Sequence, residues 1–293
     1  MYVLLGSNGQ ITSQIARLLL TMGHRVRVVG RQADTLAPLA KAGAEVAAGD
    51  VADAVFLERA FTGASAAYTM IPPCYAEHDM HAAQDRIGAA IARALSKVPV
   101  PRVVNLSSMG AELPHGTGPI EALHAQERRL SAIGGIDLLH LRPGSFMQNL
   151  LHAAAGVLPG LEAADATIPM VCTKDIAAVA ARELATPQHR GVLLLHAPRH
   201  ISMREAAAVL GAAIGKAGLA YVQSAPAEGK AELRAHGFSA SAADQIEVLA
   251  RWLSTSPLAS ASMAPVEVQA TTIERFAHEQ FEPAYARLAL GVA

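Results

Sequence analysis

The sequence predicts an α/β fold: a doubly wound parallel sheet followed by a smaller α/β C-terminal lobe. Three observations carry this prediction. The first half repeats a short apolar run followed by a helix-length stretch, a rhythm that right-handed crossovers turn into parallel strands covered on both faces. A glycine-rich turn, GSNG, joins the first apolar run to the first helical stretch. After Pro143 and Gly144 the rhythm becomes less regular, and the second lobe is expected there.

Taken in order, residues 1–5, 25–29, 44–48, 64–70, 100–106 and 136–141 read as strands. Helices are expected near 10–22, 32–42, 52–60, 76–97 and 121–133. Beyond the break, an Ala-rich helix follows Lys174 and Asp175, and GVLLLHA at 191–197 reads as a strand. Ser202 stands three residues before Glu205, the spacing of a capping box at the start of another helix. Residues 254–264 read as a flexible surface connection. A terminal helix follows, with Thr272 as its cap and Phe276, Phe281 and Tyr285 as packing residues.

Composition excludes several function classes. Lys and Arg total 24 against 25 for Asp and Glu, so no charge surplus points to nucleic acid or an anionic membrane. The 52% hydrophobic fraction is largely Ala and holds no apolar run of membrane-spanning length. MYVLLGSNG has no basic region leading into a longer apolar segment, so a secretory signal is not expected. The only cysteines, Cys74 and Cys172, suit a reduced compartment, the cytoplasm, and form no disulfide framework. His78 and His81 lack a coherent third ligand, so no metal site is predicted. An Ala-rich helix is compatible with a homodimer, although no interface signal accompanies it.

The GSNGQIT stretch sits where a phosphate needs it, directly after the first strand. Gly6 can make the tight turn and Gly9 can permit close backbone approach. The free N–H groups of the first helical turn can receive pyrophosphate oxygens, and Ser7 and Asn8 add short polar side chains. The other reading is a plain strand-to-helix turn, and Thr12 stands where a third glycine would be expected. At the tip of the second strand no carboxylate is present to hold the ribose hydroxyls of NAD. Arg31 lies just beyond it, suited to a 2′-phosphate or else a solvated surface arginine. NADPH is therefore expected over NADH. Asp50 either closes the adenine side of the pocket or, with Asp53, caps the next helix. MIPP at 70–73, including Pro72, and LSSMG at 106–110, including Ser107, follow the fourth and fifth strands, on the edge where ligands of open parallel sheets collect.

Together, VLLGSNGQITSQIARLL, VRVVGR, LSSMGAEL, HLRPGSFMQNL, VCTKDIAAVAARELA and TTIERFA resemble the NmrA-like family of atypical short-chain dehydrogenase/reductases, over nearly the whole chain. The resemblance implies a Rossmann-like NAD(P)-binding domain over 1–150 and a mainly substrate-binding lobe over 151–293, with segments returning to the first domain. By position, residues 6–11 resemble the pyrophosphate loop, Arg31 the 2′-phosphate contact, and Pro72 and Ser107 the cofactor-facing loops. Phe146, Met147 and Asn149 resemble residues at the entrance to the substrate lobe. The family includes small-molecule reductases, quinone-reductase-like proteins and noncatalytic redox sensors.

The catalytic pattern departs from that of a typical short-chain reductase. Ser107 matches its serine, but Pro119 and Leu123 fall near the tyrosine and lysine positions. His124 is the nearest group able to donate a proton, helped by Ser107 or Ser108 polarising a carbonyl oxygen. Glu127, three residues on, could pair with His124, or both could belong to a solvated helix face. A quinone asks less of the protein than an alcohol does. The sequence is therefore read as an NADPH-dependent reductase delivering hydride to a quinone-like or other conjugated small molecule. The alternative is a noncatalytic NADP(H)-binding redox sensor.

Overall fold

The computed structural model describes residues 1–6, 9–256 and 264–289. Strands β1 (Tyr2–Leu5), β2 (Val26–Gly30), β3 (Glu45–Ala48), β4 (Ala66–Thr69), β5 (Arg102–Leu106) and β6 (Asp137–Pro143) alternate with helices α1 (Gln10–Thr21), α2 (Ala33–Lys41), α3 (Ala54–Phe61), α4 (Met80–Lys97) and α5 (Glu121–Ser131). Short strands β7 (Ser145–Phe146), β8 (Leu158–Gly160), β9 (Thr167–Ile168) and β10 (Met170–Val171) lead to α6 (Thr173–Ala185) and β11 (Gly191–His196). The chain continues through β12 (Ile201–Ser202), α7 (Met203–Ala213), β13 (Tyr221–Gln223), α8 (Pro226–Ala235), α9 (Ala240–Thr255) and β14 (Val266–Val268). It ends in α10 (Ile273–Phe276), a π-helical turn and α11 (Glu282–Ala289).

Eight strands form one sheet in the order β14-β11-β6-β5-β4-β1-β2-β3, and every neighbouring pair in it is parallel. The chain runs outward from β1 to β3 and then crosses back to lay β4 on the other side of β1. That reversal opens a crevice above the carboxyl ends of β1 and β4. Alternation along β1 shows how the two faces are filled. Leu4 packs into a core with Ile15 and Leu19 of α1, Leu36 of α2 and Ile176 of α6. Val3 and Leu5 face the opposite core, with Phe61 of α3, Ile91 of α4 and Leu130 of α5. Each such buried side chain contributes about 1.5–3 kcal/mol, so a one-residue slip of β1 would be prohibitive.

The C-terminal part supplies a third core, where Met147, Leu150 and Met170 meet Leu210, Phe276 and Phe281. It also returns β11 and β14 to the main sheet and lays α6 against α1. The capping box at α7 forms as its spacing predicts: Ser202 Oγ accepts from Glu205 N at 3.2 Å, and Glu205 accepts from Ser202 N at 3.0 Å. Thr272 caps α10 through Arg275 N at 3.2 Å. One boundary is corrected. The helix expected from residue 76 begins at Met80, because Asp79 accepts from Ala82 N at 2.9 Å and ends the preceding loop. Residues 257–263 of the expected connection lie outside the described residues. Among the described residues, no helix is long and apolar enough to cross a membrane.

Candidate active site

Gly6 turns the chain from β1 toward α1 at φ +77°, and a Cβ there would lie 2.7 Å from Met70 Sδ on the loop after β4. Only glycine satisfies both constraints. Gly9 N–H donates to Gly6 O at 2.9 Å, closing the turn, and among the described residues no side chain caps α1. The helix start therefore presents free N–H groups toward the crevice. Gln10 and Ile11 open this helix; Ser7 and Asn8 lie outside the described residues. Thr12, in place of the third glycine, is buried and donates to Leu5 O at 3.1 Å. A hydrogen bond thus ties helix to strand where a glycine would have allowed closer contact.

Arg31 follows β2, is exposed and has no ion-pair partner among the described residues. Burial and then Glu77 push the Cys74 thiol up, while Arg31 and then Arg86 pull it down. Of the two acids beyond β3, Asp53 caps α3 through Val55 N at 2.9 Å and Phe56 N at 3.3 Å. Asp50 instead accepts from Ala52 N at 2.9 Å in the preceding turn, and its side chain is exposed.

A cavity of about 310 Å³ lies beyond the ends of β4, β5 and β6. Ser107 is on its wall, 3% exposed, and its Oγ has no hydrogen-bond partner among the described residues. Ser108, also on the wall, has its hydroxyl committed to Met109 O at 2.9 Å. Pro119 and Leu123, at the positions of the absent tyrosine and lysine, do face this space. Pro73 lines it and Pro72 does not.

His124 is not on the wall. Leu123 faces the cavity, and the next helical residue is rotated by about 100°, so His124 Nδ1 donates to Ala111 O at 2.8 Å and braces the loop after β5. The expected His124–Glu127 pair does not form, because Glu127 is taken by Arg142 of β6 at 2.9 and 2.6 Å. Tyr75, Gln84 and Trp252 are among the wall residues that escape the sequence reading. Trp252, the single tryptophan, comes from α9 and packs on Gly110, where a Cβ would lie 2.6 Å from the indole and φ is +91°. Its rarity was the one available signal.

A second cavity of about 720 Å³ adjoins the first, sharing Ser145, Phe146 and Asn149 with it. It extends into the C-terminal lobe between the β8 region and α8, with Leu150, Leu161 and Leu233 among its walls. Phe146 and Asn149 thus stand at the junction expected of them. Met147 does not: it is 1% exposed and packs in the lobe's core, lining neither cavity. Among the described residues, no group of three or more His, Cys, Asp or Glu side chains is arranged to hold a metal ion.

The model of the NAD(P)H-binding family matches residues 6–187. The chain belongs to that NAD(P)H-binding family. The chain is similar to curated proteins along most of its length. It is 29% identical to the (4-alkanoyl-5-oxo-2,5-dihydrofuran-3-yl)methyl phosphate reductase of Streptomyces griseus subsp. griseus, covering 74% of each chain. It is 26% identical to the NAD(P)H azoreductase of Xenophilus azovorans, over 85% of this chain and 86% of that one. The fold matches that of an NADPH-dependent quinone oxidoreductase of Escherichia coli complexed with NADPH, with a TM-score of 0.73 and 21% identity, over 96% of this chain and 100% of the other.

Proposed function

We propose that the chain is an NADPH-dependent reductase that delivers hydride to a quinone-like or other conjugated small molecule. The observation that carries this reading is the wall of the 310 Å³ cavity, where among the described residues no carboxylate, imidazole, ammonium or guanidinium group is present. Such a wall suits an uncharged conjugated acceptor whose reduction needs no charged acid or base beside it. The reductase names of the two curated relatives point the same way.

The residues of the crevice fit the cofactor. The uncapped start of α1 and the close turn at Gly6 and Gly9 would hold the pyrophosphate, and the unpaired Arg31 would hold the 2′-phosphate. Bound there, NADPH supplies the hydride. Ser107 Oγ, lacking any internal partner, would donate to the acceptor's carbonyl oxygen as charge develops on it. Phe146, Asn149 and Trp252 would position the acceptor and exclude water. The 720 Å³ space would take whatever substituents it carries.

The test is NADPH consumption by purified protein with a panel of quinones, azo dyes and conjugated ketones. Saturable turnover with at least one class supports the reading. Tight NADPH binding with no turnover across the panel would replace it with the noncatalytic sensor, which the apolar Pro119 and Leu123 favour.

A further inference from the structure

We propose that Tyr75 is a proton-donating catalytic residue of this cavity, supplying from the loop after β4 the phenol that α5 lacks. The assignment rests on the hydride-transfer reading above. Tyr75 lines the same cavity as Ser107, Pro119 and Leu123. Among the described wall residues it carries the only ionisable side chain. It is half-buried, and burial is the one influence on its acidity, with no hydrogen bond or charge contributing. Among the described residues no hydrogen bond takes up its hydroxyl.

The ring is held by contacts from the C-terminal lobe. It stacks on Phe238, with centroids 4.5 Å apart and planes 21° from parallel, and Ser239 N–H donates to Tyr75 O at 2.8 Å. Immediately before it, Cys74 adopts φ +56°, the left-handed conformation that only a well-determined loop imposes on a side chain of that kind. The rival donors are committed or poorly suited. His124 is bound to Ala111 O, Ser108 to Met109 O, and the Ser107 hydroxyl is far too weak an acid to release its proton.

Burial pushes the Tyr75 phenol up, and no cation on the wall opposes that shift. The group therefore keeps its proton throughout the neutral range and works as a donor, not as a base. When hydride reaches the acceptor, the acceptor gains two electrons and one hydrogen, and negative charge collects on its oxygen. The Tyr75 O–H bond then breaks, its proton passes to that oxygen, and the phenolate recovers a proton from water. Overall, one acceptor, one hydride and one proton from solvent give the two-electron-reduced product.

The experiment compares wild type with Tyr75→Phe, which keeps the stacked ring, using NADPH, NADP⁺ and 1,4-naphthoquinone as probes. Trp252, on the same wall, reports quinone occupancy by its fluorescence. With NADP⁺ present and no turnover, infrared difference spectra of the bound quinone should show a carbonyl stretch shifted down in wild type and restored toward the free value in Tyr75→Phe. In turnover, kcat should fall about a hundredfold with NADPH affinity unchanged. Unchanged kcat and carbonyl stretch in an occupied Tyr75→Phe site would overturn the assignment and leave the reductase reading standing. Loss of NADPH binding along with turnover would make Tyr75 a structural residue and overturn it too. A wild type that binds NADPH but reduces neither this quinone nor any other acceptor of the panel would overturn both.

Discussion

Arg142 sets Nε 2.9 Å from one carboxylate oxygen of Glu127 and Nη2 2.6 Å from the other, a two-pronged pair at the contact of β6 with α5. The side chains are 9% and 10% exposed. Glu112 adds a third contact, to Nη1 at 2.9 Å. Truncating one member of such a pair strands the other's charge, at a cost of about 3–5 kcal/mol. Because Glu112 remains, Glu127→Ala should lie at the low end, about 3 kcal/mol in urea unfolding. A loss below about 0.5 kcal/mol, the size of an exposed pair, would contradict the buried geometry.

A polar chain crosses the middle of the sheet. Thr69 Oγ1 donates to Asn105 Oδ1 at 3.0 Å, Asn105 Nδ2 lies 3.2 Å from His140 Nδ1, and His140 Nε2 lies 3.2 Å from Ser131 Oγ. Read as Asn105 donating, His140 carries its proton on Nε2 and donates to Ser131. Burial holds His140 below the ordinary histidine range; Glu127 opposes this and Arg142 assists it. A lowered folded value means the neutral ring is stabilised in the fold. The unfolded chain takes its proton first as pH falls through about 6.5, so the stability is present above that value and lost as pH falls toward the folded one. Thermal melts should therefore show wild type losing stability from about pH 7 to 5 more steeply than His140→Gln. Parallel curves would contradict it.

Among the described residues Arg31 has no ion-pair or hydrogen-bond partner, so removing it should be felt through the nucleotide. Charge-assisted hydrogen bonds are worth about 1.5–3 kcal/mol each. Calorimetric titration of Arg31→Ala should show NADPH binding weakened about tenfold or more, with NADH binding unchanged. An unaltered ratio of the two affinities would remove the 2′-phosphate role.

At Gly6 a methyl group meets two obstacles, the left-handed φ and the Met70 sulfur 2.7 Å away. Gly6→Ala should cost about 1–2 kcal/mol of stability from the backbone alone. It should also weaken NADPH binding further than any surface change on α1. A variant as stable and as tightly binding as wild type would mean that the turn is not built for close approach.

The first half of the fold was legible because strand and helix periods alternate cleanly, and each turn from β1 to β6 sits where that rhythm changes. The later strands were harder. Val266 and Val268 of β14 are exposed, and the strand exists only because β11 offers a parallel edge, a pairing across about seventy residues of sequence. At the site, Gly6, Ser107, Phe146 and Asn149 were readable from their motifs and strand-end positions. Tyr75, Gln84 and Trp252 were not, since the loop after β4, α4 and α9 come together only in three dimensions. His124 was misread for a local reason. A one-residue step along α5 separates the cavity face, held by Leu123, from the face that braces Ala111.

The central claim is that this crevice and cavity carry hydride from NADPH to a conjugated acceptor. Single-turnover mixing of the NADPH-loaded protein with 1,4-naphthoquinone tests it most directly, following nucleotide oxidation and Trp252 fluorescence together. The predicted result is that NADPH absorbance is lost in step with occupancy of the cavity, at a rate that saturates with quinone and drops in Ser107→Ala. Quenching of Trp252 by the quinone with no oxidation of the bound nucleotide would contradict it.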